Sequence, residues 1–454
     1  MPKTYHIKTF GCQMNISDSE RIASFLENAG FSLANNVEDA NLAIFNTCGI
    51  KQTAENRAYS MINNLRKEKK QDVKIIMTGC LANRADVQKR MKNKVDLFFP
   101  IKDIKDFENW IIENCLEIEN CKLEIPGQKN ISSNQENINY LSITPKNLSR
   151  YQAYVPIMTG CNNFCSYCVV PHARGREVSR PANEIILEIR NLISQGYKQI
   201  TLLGQNVNSY KSKVHKVSKS IKSEDEIDFA KLLTEINKIP GNFWIHFVSS
   251  HPKDMSDSLI ETVTKLKKVC EWIHLPVQAG NDEVLRRMNR KYTSKHYLGR
   301  LKKIKKEFKK NKLDCLYAIS SDIIVGFPGE TRAQFADSEK IMQKSKFDMV
   351  FFGQFSPRPG TVAWKMKDNV SQKEKARREN VLNEILKKTS LANNKKYLGK
   401  KIEVLIEKEK NGNFFGKTRT MRNIKITTTK KDLIGKIIKA KVTKAETWNL
   451  EGVL

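Results

Sequence analysis

No window of the sequence approaches the ~18 uninterrupted apolar residues that a membrane-spanning helix needs, so no membrane partner is expected. The amino terminus, MPKTYHIKTFGC, reads as a strand entering a turn and not as a signal peptide. A cytoplasmic location is therefore expected. Acidic side chains are also scarce: 49 Asp plus Glu stand against 79 Lys plus Arg, a net charge of +30. The excess is spread along the chain instead of sitting in one tail. Such a field attracts polyanions, of which nucleic acid is the commonest, although a Lys-biased proteome would leave the same mark. Apolar residues are not in short supply, at 40% of 454 positions. A chain of this length exceeds what one core organises, so two or three domains are expected. Ten cysteines in a reducing compartment read as metal or redox ligands before they read as disulfides.

The first hundred residues contain a weak repeat. YHIKTFGC ends at Cys12, NLAIFNTC at Cys48 and KIIMTGC at Cys80, each an apolar strand-like run closed by a small residue and then Cys. Helical patterns lie between them. SDSERIASFLENAGF has Ser17 and Asp18 as possible caps and Gly30 at its end, and TAENRAYSMINNLRKEKK closes on a basic turn. Strand and helix alternating at periods of 36 and 32 residues imply a doubly wound parallel sheet with right-handed crossovers. In such a sheet the loops after the strands share one edge, where ligands bind, so three scattered cysteines would gather there. The competing reading makes each a small apolar filler at a strand end.

Residues 120–148, rich in Asn, Ser and Lys, read as a linker. Six strand candidates follow, at 153–158, 198–203, 243–248, 271–276, 316–325 and 348–355, most of them separated by amphipathic helices. Six strand-helix units suggest a partial (β/α)6 barrel. The polar insertion at 211–227 is expected to form a surface loop. From about 393 short alternating strands indicate a small all-β module, whose 62 residues carry 16 Lys plus Arg and 6 Asp plus Glu, with Phe414, Phe415 and Trp448 interspersed. Cationic and aromatic groups together suit an RNA backbone and its exposed bases. The expected domains are 1–119, a linker at 120–148, a barrel at 149–384, and 385–454 for the β module with its preceding helix.

TGCNNFCSYC places Cys161, Cys165 and Cys168 in one loop after the first barrel strand, the face on which barrel active sites are built. Two readings are open. Three thiolates plus His172 could close a tetrahedral zinc shell, or three thiolates could hold three irons of a 4Fe-4S cluster and leave the fourth iron vacant. Gly204, Gln205 and Asn206 after the second barrel strand, and Val325 and Gly326 after the fifth, could contact a cofactor at the same mouth; ordinary turns would look the same. Ser249, His251 and Gln278 lie on further strand-end loops, His251 reading as a satisfied loop histidine. Arg174 and Arg176 could contact a cofactor or RNA phosphate, or balance Glu177. Cys115, Cys121, Cys270 and Cys315 match no ligand spacing and read as packing residues.

The C-x3-C-x2-C spacing resembles the radical S-adenosylmethionine (SAM) superfamily, and GCNNFCSYCVVPHARGREVSR resembles its methylthiotransferase branch. GCQMN at 11–15, NTC at 46–48, LLGQNVNSY at 202–210, HLPVQAG at 274–280 and IVGFPGET at 324–331 extend the resemblance over nearly the whole chain. The carboxyl-terminal module resembles a TRAM domain, and GCQMN is similar to the MiaB-type tRNA branch, where the ribosomal-protein branch tends to show GCPKN and the threonylcarbamoyladenosine branch GCKVN. The resemblance implies two 4Fe-4S clusters, one on Cys161, Cys165 and Cys168 that binds and cleaves SAM, the other on Cys12, Cys48 and Cys80 that carries the sulfur to be transferred. It implies methylthiolation of carbon 2 of an isopentenylated adenosine beside the anticodon of tRNA, with one SAM as methyl donor and a second as radical source. It further implies a monomer served by a reductant such as flavodoxin or ferredoxin. A methylthiotransferase for another adenosine or a protein side chain, and a zinc-stabilised RNA-binding protein without catalysis, are the alternatives.

Overall fold

The computed structural model describes residues 3–49, 52–68, 73–115, 140–213, 226–312 and 315–454. Two compact units result. The first comprises Met1–Leu148, Thr159–Val178 and Arg358–Trp364, and the second comprises Ser149–Met158, Ser179–Pro357 and Lys365–Leu454.

In the first unit β1 (Thr4–Thr9), β2 (Ser32–Leu33), β3 (Leu42–Thr47), β4 (Lys74–Gly79) and β5 (Leu97–Phe98) form one parallel sheet in the order β2-β1-β3-β4-β5. Side chains of a strand alternate between faces, and β3 shows the consequence. Leu42 and Ile44 join Tyr5 and Ile76 in a core with α1 (Gln13–Asn28) and α4 (Ile104–Cys115), whereas Ala43 and Phe45 join Ile75 and Met77 in a second core with α2 (Gln52–Lys67) and α3 (Ala85–Met91). The sheet is thus covered on both faces, as the uninterrupted apolar runs in the sequence require. Of the segment read as a linker, residues 120–139 lie outside the described residues, as do 116–119 before it; Tyr140, Leu141 and Ile143 are buried in the α1–α4 core. Cys115 is buried in the same core, and Cys121 lies outside the described residues.

In the second unit six parallel strands follow the expected positions: β6 (Gln152–Pro156), β7 (Gln199–Leu203), β8 (Trp244–Phe247), β9 (Trp272–His274), β10 (Ala318–Val325) and β11 (Met349–Gln354). They form two three-stranded sheets, and bonds from Ile245 N to Lys268 O (2.8 Å) and Cys270 N to Ile245 O (3.0 Å) carry the ladder from β8 to the residues before β9. The result is a six-stranded partial barrel. Its strands have two chemically different faces. Ile200, Ile245, Ile273 and Ile319 share one; Gln199, His246, His274 and Asp322 share the other. Helical stripes such as Ile185, Ile186 and Ile189 can bury only against the apolar face, so the polar face lines the barrel. Of the polar insertion, Lys211–Lys213 and Glu226–Asp228 pair as an antiparallel ribbon and 214–225 lie outside the described residues.

The last five strands, β12 (Lys401–Lys410), β13 (Asn413–Thr418), β14 (Asn423–Thr427), β15 (Ile437–Ala445) and β16 (Asn449–Val453), close a small barrel in the order β12-β13-β14-β16-β15. Val404, Ile406, Phe414, Ile424 and Val442 fill it. Leu405 points the other way and packs on Trp244 and Cys270, so Cys270 is a packing residue. Arg419 then donates to both carboxylate oxygens of Glu271 (2.7 and 2.8 Å). Burial would raise Glu271, but the bonds from Arg419 and Lys312 outweigh it and hold the carboxyl below its usual range.

Replacing Arg419 by Met leaves a buried carboxylate with only Lys312 opposite. A cost of about 3 kcal/mol, read as a lower denaturation midpoint, is expected. A second prediction concerns Glu20, 4% exposed, whose Oε1 accepts from Leu148 N at 2.9 Å. Burial pushes its carboxyl up to about 7, although the Leu148 N–H and Arg21 oppose the shift. The folded state therefore holds this proton more tightly than the unfolded one; the contribution is complete below the unfolded value and is lost as pH rises through about 7. Glu20→Gln should remove that loss. The parent should lose thermal stability relative to the variant between about pH 5 and about pH 8.

Candidate active site

The first trio is built by adjacent strands. Cys12, Cys48 and Cys80 follow β1, β3 and β4, which are neighbours in the sheet, so each cysteine leaves the same edge. Two asparagines lock the loops together. Asn15 Nδ2 donates to Asn46 Oδ1 (2.7 Å) and Thr47 O (3.1 Å), and Asn46 Nδ2 donates to Asn15 O (2.8 Å) and Ser19 Oγ (3.0 Å). Both asparagines are fully buried. The Cys12 thiol donates to Asn15 Oδ1 at 3.2 Å. This clasp explains the last residue of GCQMN and the first of NTC, whose partnership the sequence did not announce. The glycines before the cysteines keep it closed: a Cβ on Gly11 would meet Asn15 Oδ1 at 2.6 Å, and one on Gly79, at φ +84°, would meet Thr47 O at 2.4 Å.

The second trio lies in the same unit. Cys161 N donates to Gly175 O (3.2 Å) and Cys168 N to Cys165 O (2.9 Å), folding residues 161–175 into a tight loop that ends in α5 (Val170–Arg174). A Cβ on Gly160, at φ +75°, would lie 2.0 Å from Arg176 O. Segment 358–364 seals the loop through Ala363 N to Ser166 O at 2.7 Å. The two trios are close. Gly49 sits where a Cβ would be 3.2 Å from both the Cys80 Cβ and a Val169 methyl, so the residue after Cys48 meets the residue after Cys168.

All six cysteines are free thiols. Burial raises Cys161, and it pushes Cys168 up to about 12 with help from Cys165 and Cys161. Cys12 is exposed, yet the protein packed around it raises its thiol against the opposing pull of Arg174. Deprotonated, three such sulfurs need a strong positive centre, which is what an iron cage offers. Among the described residues no three His, Cys, Asp or Glu side chains are disposed to hold one metal ion. A cage that takes one thiolate per iron asks for three sulfurs spread around three metal corners and not converging on one point. The donor set fits.

Arg174 stands near the first trio, and the sequence singled it out together with Arg176 but not their partners. Arg174 pairs with Asp18 (2.6 Å), both buried, and not with Glu177. Arg176 lies over the Phe164 ring at 4.4 Å. Arg358, with no local signal, donates to Gln52 Oε1 (2.6 Å) and lies 3.5 Å from Glu55, which also pairs with Arg84 at 2.9 Å. The electrostatic influence of Arg358 reaches Cys48.

The expected cofactor contacts belong to the second unit. Gly204 abuts Met158, where a Cβ would lie 2.5 Å from Cγ. Asn206 Nδ2 donates to Asp254 Oδ2 (2.7 Å) and Ser209 Oγ (2.9 Å). Gln205 Oε1 and Asn206 Oδ1 are buried acceptors without a hydrogen-bond donor among the described residues, the complement of an ammonium group. Val325 is buried, and Gly326, at φ +69°, donates its N–H to Glu330 Oε2 at 2.7 Å. Ser249 and Gln278 hold positive φ of 67° and 68°, strain that concentrates at functional loops. His251 Nδ1 accepts from Lys253 N at 3.2 Å, as a loop histidine would, and burial, with Arg290 adding to it, pushes the imidazole down to about 2. It is neutral throughout the physiological range.

Three family models match: the radical SAM superfamily over 155–341, Uncharacterized protein family UPF0004 over 4–100 and the TRAM domain over 395–454. Relatives named tRNA-2-methylthio-N(6)-dimethylallyladenosine synthase share 38% identity in Thermoanaerobacter pseudethanolicus (99% of this chain, 92% of that one) and 39% in Finegoldia magna (99% and 94%). The relative from Carboxydothermus hydrogenoformans is 38% identical over 100% of this chain and 99% of its own. The chain belongs to this synthase family. Among solved structures, the radical SAM methyltransferase TsrM from Kitasatospora setae, with cobalamin and a [4Fe-4S] cluster bound, matches with a TM-score of 0.53 at 14% identity over 80% of this chain and 77% of that one. OxsB, a cobalamin-dependent radical SAM enzyme, gives 0.51 at 10% identity over 84% and 56%. These two show the fold, which the family membership shares.

The clasp makes a prediction. Gly79→Ala should push the ends of β3 and β4 apart, and anaerobically reconstituted protein should lose about half of its iron while the 161–168 loop keeps the remainder.

Proposed function

We propose that this chain methylthiolates carbon 2 of N6-isopentenyladenosine next to the anticodon in tRNA, giving 2-methylthio-N6-isopentenyladenosine. The observation that carries the reading is the pair of cysteine trios in one unit of a chain related over its full length to synthases of that name. Cys161, Cys165 and Cys168 are assigned to one 4Fe-4S cluster, and Cys12, Cys48 and Cys80 to the other. When bound, the clusters and two SAM molecules supply a radical able to break an unactivated C–H bond, the transferred sulfur and its methyl group. The residues do the rest. The Asn15–Asn46 clasp holds the first three sulfurs on one edge, and the turn built on Gly160 and Gly175 holds the second three. Gln205 and Asn206 offer acceptors to the ammonium of SAM, and the backbone at Val325 and Gly326 offers a surface to its adenine. Neutral His251 adds no charge to the loops it occupies.

The β module is assigned to tRNA. Its aromatics divide by strand alternation: Phe414 points inward, 2% exposed, and is unavailable to a base, whereas Trp448 is 38% exposed and Phe415 lies half-buried under Lys408 (5.8 Å). Among the described residues no helix is long and apolar enough to cross a membrane. Electrons come from a reductant such as flavodoxin or ferredoxin, and the chain works as a cytoplasmic monomer.

The test separates the trios. Cys161→Ala, purified without oxygen, should yield no 5'-deoxyadenosine from SAM. Cys12→Ala should still yield it but form no methylthiolated nucleoside by mass spectrometry of the tRNA. Failure of Cys12→Ala to cleave SAM, or a colourless parent protein containing stoichiometric zinc, overturns the reading.

A further inference from the structure

The inner face of the six-stranded barrel carries an apolar wall to which the chemistry above assigns no task. Phe351 and Gly353 of β11 stand in register with Asp322 and Ile324 of β10. Strand alternation therefore turns all four toward the lumen, on the face that also holds His274 and Ser320. An aromatic ladder runs along it. Trp272 stacks on His274 with ring centroids 5.8 Å apart, and the His274 ring meets Phe351 edge-on at 6.0 Å. His274 is fixed from two sides, with Ser320 Oγ 2.9 Å from Nδ1 and Asp322 Oδ2 3.4 Å from Nε2. The last ring of the ladder is bare: Phe351 is 58% exposed.

A phenylalanine left open on the inside of a barrel forfeits the burial such a side chain ordinarily gains, unless a ligand covers it. Room for one is present. Gly353 is the next inward position, and a Cβ added there would meet no atom within 4 Å beyond its chain neighbours. Ile324, opposite it in the register, is half-buried and apolar. The wall is also selective by charge. The Asp322 side chain, 35% exposed beside Phe351, repels a ligand group that ends in a carboxylate and tolerates an uncharged one.

We propose that the wall of Phe351, Ile324 and Gly353 receives the hydrocarbon N6 substituent of the substrate base, and that Phe351 thereby sets the preference for an isopentenylated adenosine. The inference rests on the functional reading above. Each carbon of the substituent that leaves water for this wall strengthens binding of the isopentenylated base and adds nothing for the bare one. In a fitted pocket a single methylene already discriminates by about tenfold or more, so a whole isopentenyl group offers ample leverage. A threonylcarbamoyl substituent would bring its carboxylate against Asp322 and is disfavoured.

The experiment uses the full chain, reconstituted anaerobically and supplied with SAM and a reductant, and one tRNA in two forms, isopentenylated and unsubstituted at N6. Three quantities are measured: kcat/KM for methylthiolation of the first form, Kd for the second, and SAM cleavage without tRNA. Phe351→Ser should lower kcat/KM at least about tenfold and leave the other two quantities unchanged. Phe351→Leu, which keeps an apolar surface, should recover most of the loss. Gly353→Val, which fills the room beside the ring, should reproduce it. A kcat/KM for Phe351→Ser within about twofold of the parent's, an equal loss for Phe351→Leu, an inert Gly353→Val, or a matching loss of affinity for the unsubstituted tRNA overturns the proposal. A parent that forms no methylthiolated nucleoside from the isopentenylated tRNA overturns the functional reading instead.

Discussion

Two buried asparagines, each giving its amide to the other's loop, are the constraint on which the first trio depends. A parallel sheet delivers the ends of β1, β3 and β4 to one edge but leaves their loops free to splay. The mutual bonds of Asn15 and Asn46 remove that freedom, and the small residues at Gly11 and Gly79 let the backbones come close enough for the bonds to form. Each amide is buried, so an unmade bond would carry its full desolvation cost. The arrangement is consequently all or nothing.

Buried charge is the second theme of this unit. Asp18, Glu55, Arg174 and Arg358 are all nearly sealed from solvent, and pairs of this kind seldom add much net stability over a well-packed apolar core. Their charge reaches the first trio, that of Arg174 at Cys12 and Cys80 and that of Arg358 at Cys48. The β12–β16 barrel is filled mainly by apolar side chains, with Thr418 and Thr420 hydrogen-bonded to each other and Arg422 paired with Asp348, both buried, while Arg419 reaches Glu271.

The second unit separates chemistry by strand alternation. Its outward positions are isoleucines under helices, and its inward positions carry amides, imidazoles and a carboxylate. Positive-φ residues at Ser249 and Gln278 and the unsatisfied acceptors of Gln205 and Asn206 all fall on strand-end loops, where a barrel concentrates binding.

Much was legible in the sequence because it depends on short spacings. Periods of strand and helix, the three thiols in one loop, and a Cys closing each of three strands follow from local order, so the fold class, the six barrel strands and the β module were readable in advance. Local order could not say which face a strand turns inward, and Phe414, read as available to RNA, proved to fill a barrel. Nor could it pair Asp18 with Arg174, Gln52 with Arg358, or Asn15 with Asn46. Those partners lie 156, 306 and 31 residues apart; a hydrogen bond acts over a few ångströms of space and leaves no periodicity along the chain, so only the folded structure brings its two ends together.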